Sequence, residues 1–402
     1  LIDVLSKTKR NGSGIAVAIA LATTCWHSPG HARVALQEQQ AGIPRGFSIP
    51  TVDLSQRRDL QTIVDREPGV YLGHPTTALL ADGQTILCVY PQGHGRGPIL
   101  LKKSVDGGMS WSERLATPEN WATSLETPTL YRLETRDGRQ RLILFSGLYP
   151  IRLSISENDG VDWSPLAPVG SFGGIVAMSS VVRLSDGQLM ALFHDDGRFI
   201  AAQQRDSGFC VYRTHSADDG LSWSEPVVIA RRSDVHLCEP GAIRSPDGKL
   251  IAVLLRENSR TRNSFWIATR NEGATWTEPA ELPGALTGDW HVAAYAPDGR
   301  LVVSFRDMAH DSATRGDWVA WVGTFDDIAD GREGQYRVRL MDNLRETDCG
   351  YPGLEVLPDG TFVATSYGHW IAGESPFVVC VRFRLESLDS IAKSQADARA
   401  GR

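Results

Sequence analysis

The 402 residues carry 41 Lys and Arg against 48 Asp and Glu, a net charge of -7, which excludes a general binder of nucleic acid or anionic membrane and leaves room for a local basic pocket. At 42% hydrophobic and 22% charged residues, the composition is that of a folded protein and excludes disordered, collagen-like and coiled-coil classes. Gly 39, Pro 21 and Trp 11 against Met 5 favour tight turns and packed aromatics, hence β-structure over helices.

Lys7, Lys9 and Arg10 precede an apolar run at 14–22, a pattern of signal-peptide type that is too short to span a bilayer. Residues 1–32 are therefore expected to be an export signal, 33–60 an N-terminal extension, and the product secreted or periplasmic. Leu21 to Cys25 forms a weak lipoprotein box, so a lipoprotein is a variant of that expectation. No later segment reaches the roughly 18 apolar residues of a membrane span.

From residue 61 onward two repeats run in phase. The first is an Asp-Gly pair between two apolar, alternating segments, at Asp82, Asp137, Asp186, Asp247, Asp298 and Asp359. The glycine supplies the positive φ of a tight hairpin, so each unit reads as two antiparallel strands. The second repeat is Ser/Thr-x-Asp/Asn-x-Gly-x-x-Trp, starting at Ser104, Ser156, Ser216 and Thr269. Its carboxylate or amide can bond the backbone of its own turn, and its Trp can cover the gap between strands with the indole N–H on a carbonyl. This is a structural staple.

Length alone suggests two or three domains at roughly 150 residues each. The repeats reduce that to one all-β ring, a six-bladed β-propeller over 61–386, because sheets of about 50 residues cannot bury both faces alone. The sixth unit is short of strands, and the segment beginning at Gln61 is expected to complete it and close the ring. The long helical patterns of a TIM barrel are absent. Residues 387–402 read as a short helix or frayed tail. Six cysteines at 25, 88, 210, 238, 349 and 380 include no C-x-x-C pair, so most are expected to be small buried hydrophobes.

A propeller carries its site on the axis, where the innermost strands begin. Eight residues before the hairpin Asp stand His74, Met178, Glu239, Trp290 and Tyr351, with Glu126 near the equivalent spot of the second unit. Eight or nine residues beyond the turn stand Tyr90, Phe145, His194, Arg256, Arg306 and Tyr367. Two His, a Glu, a Tyr and two Arg at matching phases make a rim that can bind and react.

The four boxes are similar to the Asp boxes, or BNR repeats, of the sialidase superfamily, and the segment from about 60 to 386 resembles that family. The resemblance implies that Tyr351 is the nucleophile and that Glu239 draws its proton. A phenol near pKa 10 attacks poorly without such a partner, and an uncharged nucleophile suits an anionic sugar. It also implies that Arg256 is one of three arginines gripping the substrate carboxylate. Two departures stand out. The family's first arginine is absent from Leu72-Gly73-His74-Pro75, and no carboxylate stands in the loop from Tyr90 to Gly97 where the acid/base aspartate is expected. Arg306 and Arg315 are candidates for the third clamp position, Arg96 for the first, and His74 or His94 for the general acid.

The expected function is an exo-acting glycoside hydrolase releasing a terminal acidic sugar, sialic acid first, from a glycan or polysaccharide. His194, Trp290 and Glu126 are further substrate-binding candidates. The alternatives are a uronate polysaccharide lyase, a histidine-dependent exo-glycosidase, or a glycan-binding propeller without turnover. No cofactor motif is present, and neither a nucleic-acid partner nor a membrane span is expected.

Overall fold

The computed structural model describes residues 43–200 and 208–400; the apolar run at 14–22 and Cys25 lie outside them. Among the described residues, six β-sheets succeed one another along the chain as the blades of a propeller. The first blade is Thr76–Leu79, Ile86–Pro91 and Ile99–Ser104, and the second runs from Thr129–Glu134 through Gln140–Ser146 and Arg152–Ser156 to Ala167–Pro168. The third comprises Ile175–Arg183, Leu189–Asp195, Cys210–Ser216 and Val227–Arg231; the fourth comprises Leu237–Arg244, Ile251–Glu257, Phe265–Thr269 and Ala280–Glu281. The fifth holds Gly288–Tyr295, Leu301–Asp307, Trp318–Gly323 and Tyr336–Met341, and the sixth holds Gly350–Val356, Phe362–Gly368 and Phe377–Phe383. Gln61–Asp65 pairs antiparallel with Phe377–Phe383 and completes the sixth blade, so a strand that precedes the first blade and the last strand of the chain close the ring.

Two features add to the sequence expectation. Thr51–Asp53 lies parallel to Tyr336–Met341 as a fifth strand of the fifth blade. The tail forms one helix, Leu385–Ala400, whose Asp389 takes Arg300 and the Tyr336 hydroxyl.

The Asp-Gly turns behave as expected, with one refinement: the positive φ falls on the glycine alone, from 71° at Gly83 to 85° at Gly299. In the first hairpin Gly83 N–H donates to Leu80 O, and Asp82 Oδ1 accepts from the N–H groups of Gln84 and Thr85. The second strand of each hairpin is buried on both faces rather than alternating, because neighbouring blades cover each side; Ile86–Pro91, Leu189–Asp195 and Phe362–Gly368 are buried throughout.

All four Asp boxes form the same turn. The Ser or Thr hydroxyl accepts the N–H of the box glycine at 2.7–2.9 Å, and the Asp or Asn oxygen accepts the backbone N–H four residues on at 2.8–3.0 Å. The indoles of Trp163, Trp223 and Trp276 each donate to the box glycine carbonyl at 3.1 Å. Trp111 differs, its buried indole N–H having no partner among the described residues. The box glycine is also where consecutive blades meet. A Cβ on Gly108 (φ +85°) would stand 2.8 Å from Val363 Cγ1 of the sixth blade. Gly108→Ala is expected to destabilise the ring by about 1–3 kcal/mol, measured by urea unfolding.

The inner strands of all six blades line an axial cavity of about 380 Å³. Glu355 borders it, accepts the Thr77 hydroxyl at 2.8 Å, and is pushed up from the ordinary 4.5 to about 7 by burial. Between those values the folded protein holds a proton that the unfolded chain has lost, so stability falls as pH rises through that window. Glu355→Gln is expected to raise the urea midpoint over wild type at pH 8 and to leave it unchanged below pH about 4.5.

Candidate active site

The five rim residues aligned by the repeat share one backbone state: His74 (φ 54°), Met178 (54°), Glu239 (50°), Trp290 (56°) and Tyr351 (56°) are all left-handed. A non-glycine residue costs about 1–3 kcal/mol there, so the surrounding sheet must impose it. In four of the five blades the ladder slips at this point, between Ile175 and Ser180, Cys238 and Gly241, Asp289 and Val292, and Gly350 and Gly353. Each slip is a bulge that re-aims the side chain. The second blade keeps an unbroken register, and Glu126 lies before its first strand rather than in a bulge.

Three of the expected groups come into direct contact. The Tyr351 hydroxyl donates to Glu239 Oε1, and Arg256 Nη1 donates to Glu239 Oε1 at 2.6 Å and to the Tyr351 oxygen at 2.9 Å. Glu239 Oε2 accepts the backbone N–H of Trp290 at 3.1 Å, so both carboxylate oxygens are fixed. Burial, followed by the Glu239 charge, pushes the Tyr351 phenol well above its ordinary value. The phenol is thus a resting O–H hydrogen-bonded to the Glu239 carboxylate.

The cluster borders a pocket of about 390 Å³ whose lining includes His74, His94, Arg96, Glu126 and His194 along with Glu239, Arg256 and Tyr351. Arg198 and Asp196 join it from the third blade. Burial, helped by Arg256 and Arg198, pushes His194 down to about 3, so it is neutral and can accept the Glu239 N–H at Nδ1. Glu126 is raised by burial and accepts the Thr127 N–H at 2.9 Å. Arg96 is exposed and makes no ion pair with any described residue.

Three other expected residues lie elsewhere. Trp290 stacks behind Tyr351, ring centroids 5.2 Å apart, and faces the axial cavity. Arg306 is buried beneath the Tyr351 ring, 5.5 Å from its centroid, and is held by Asp289 and the carbonyls of Thr347 and Cys349. Arg315 donates to the carbonyls of Met308 and Ala309 and does not line the pocket.

Sequence reasoning missed Asp289, the hub of the arginines. It is fully buried and takes Arg260 on both oxygens at 2.6 and 2.8 Å, Arg306 Nε at 2.8 Å and Arg256 Nε at 3.2 Å. Against the cost of burial, these three guanidiniums hold its carboxyl far below the usual carboxylate range. A signal existed: the residue before each rim position is Gly73, Ala177, Cys238, Asp289 or Gly350, a single charge among small residues. Also missed was Asp348, which collects Tyr71, His369, Tyr367 and His94 on the far side of His74. No three His, Cys, Asp or Glu among the described residues are grouped to hold a metal.

The BNR repeat-like domain family matches residues 55–363. No curated protein matches the sequence. Among solved structures, a protein of unknown function from Dyadobacter fermentans superposes with a TM-score of 0.65 at 14% identity, over 80% of this chain and 97% of that one. The NanB sialidase of Streptococcus pneumoniae superposes at 0.59 and 11% identity, over 81% of this chain and 71% of that one. An intramolecular trans-sialidase from Ruminococcus gnavus gives 0.55 at 13%, over 79% of this chain and 95% of that one. At such identities the likeness is one of fold. Its repeats, its ring of six sheets and the family match over most of its length agree that this chain belongs to the BNR repeat-like family, whose propeller it shares with the sialidases.

Proposed function

We propose that this chain is an exo-acting glycoside hydrolase of sialidase type that releases a terminal acidic sugar, with sialosides as its first substrate class. The observation that carries the reading is the Tyr351–Glu239–Arg256 cluster on the wall of the pocket. Tyr351 attacks the anomeric carbon as its proton passes to Glu239, and Arg256 steadies the charge on both. Arg96, Arg198 and Arg256 supply the positive side of the pocket for a substrate carboxylate. Arg306 acts from below by fixing Asp289 and the underside of the tyrosine ring.

One contact favours a second reading. His74 stands edge-on to Tyr351 with centroids 4.7 Å apart, and burial, followed by His94 and Arg306, keeps it neutral. A neutral imidazole beside a phenol is the pair a uronate lyase would use to move a C5 proton. Incubation with sialosides and with uronate polysaccharides, products read by mass spectrometry, separates the two. Release of free sialic acid is the expected result. An unsaturated uronide absorbing in the ultraviolet would make the enzyme a lyase, and binding without product would make it a lectin-like propeller.

A further inference from the structure

The pocket lacks a carboxylate in the loop after the first blade's second strand, and what stands there is His94, whose side chain is 66% exposed and lines the pocket. Behind it runs a chain of hydrogen bonds. Tyr71 Oη lies 2.6 Å from Asp348 Oδ1 and 2.6 Å from His94 Nδ1. Asp348 is ionised: despite burial, hydrogen bonds from His94, Tyr71 and His369 hold it well below the usual carboxylate range. A carboxylate only accepts, and a phenol has one proton. Tyr71, held as a phenol by burial and by Asp348, must therefore give that proton to Asp348 and accept from His94. The proton on His94 Nδ1 is thereby fixed. The ring's exchangeable position is Nε2, which has no hydrogen-bond partner among the described residues.

We propose that His94 is the proton donor of this site, with Tyr71 and Asp348 as the positioning residues that fix its tautomer and orient its ring. The proposal rests on the hydrolase reading above. In the first step the Tyr351 oxygen bonds to the anomeric carbon while its proton goes to Glu239. The glycosidic C–O bond breaks, and the leaving oxygen takes the proton from His94 Nε2. In the second step water gives a proton to the now neutral Nε2, its oxygen takes the anomeric carbon, and Tyr351 recovers its proton from Glu239. Charge and atoms return to the start.

The other two candidates are less well placed. His74 is buried among His94, Tyr351 and Tyr367, and among the described residues its Nδ1 has no partner and no carboxylate touches it to support an imidazolium. Glu126 is a half-buried residue on the pocket wall whose Oε1 accepts the Thr127 N–H, and it is the rival that the test must separate.

Leaving-group dependence makes that separation. A phenolic aglycone departs without a proton, whereas a sugar alcohol needs one. His94→Gln is expected to lower kcat/KM on a sialyl-galactose disaccharide by about 10²-fold or more and on an aryl sialoside by only a few-fold. Asp348→Asn and Tyr71→Phe should lower kcat on the disaccharide by about 10-fold with KM little changed and with the aryl rate retained. Retention of the aryl rate also demonstrates that each variant is folded. Equal losses on both substrates for His94→Gln, or the leaving-group split in Glu126→Gln instead, overturn the assignment of His94 and leave the hydrolase standing. Wild-type inactivity on both substrates sinks the hydrolase reading together with this one.

Discussion

Tyr351→Phe is expected to lower kcat on an aryl sialoside by about 10³-fold or more while leaving the protein folded. The substitution removes one oxygen. The ring keeps its stack on Trp290 at 5.2 Å, its edge contact with His74 and the Arg306 guanidinium beneath it. The Glu239–Arg256 pair survives at 2.6 Å, so neither partner is left as a lone buried charge. The stability cost should then be that of one hydrogen-bonding hydroxyl, about 1 kcal/mol. Rates on the aryl substrate read beside a urea titration would show it. Turnover within tenfold of wild type would remove Tyr351 as the nucleophile.

Asp289→Ala should produce the largest loss of stability of any single change in the site, about 3–5 kcal/mol, because it strands buried guanidiniums. Arg256 and Arg306 approach this one carboxylate from neighbouring blades, and Arg260 closes over it with both nitrogens. Without it Arg306 would keep only carbonyl partners, and Arg256 would lose the contact that sets its Nε. The pH dependence follows from the depressed carboxyl. Unfolded, the group titrates near 3.9; folded, it titrates far lower, so its contribution is complete above about pH 4 and fades only in stronger acid. The gap in urea midpoint between wild type and variant should therefore be flat from about pH 5 to 8. A gap that closes inside that range would contradict the assignment. Activity should fall with stability, since Arg256 also bonds Tyr351 and Glu239.

What the sequence made legible was whatever repeats. The aspartates from Asp82 to Asp359 located the hairpins, the boxes from Ser104 to Trp276 located the blade contacts, and counting back eight residues located the left-handed positions that carry His74, Glu239 and Tyr351. What escaped was whatever depends on two blades meeting. Asp289 matters because Arg256 and Arg260 reach it from the preceding blade, a distance that no local pattern encodes. Asp348 sits in the loop between the fifth and sixth blades, and its partners Tyr71 and His94, beside the first blade, reach it only when the ring closes. Arg306 and Arg315 illustrate the opposite limit. The sequence made them clamp candidates, but neither lines the pocket, and an internal carboxylate and a pair of carbonyls engage them.

The pairing of Gln61–Asp65 with Phe377–Phe383 has a consequence for biogenesis. During synthesis the first of these strands emerges long before its partner, and until then the sixth blade has no outer edge and the first blade no neighbour on that side. Five blades can assemble as they leave the ribosome, but Tyr351 and Asp348 belong to the part that arrives last. Tyr351 and Asp348 are therefore brought to Glu239 and His94 only by the final closing event. A nascent chain halted before residue 377 should bury most of its core and still lack the closed pocket.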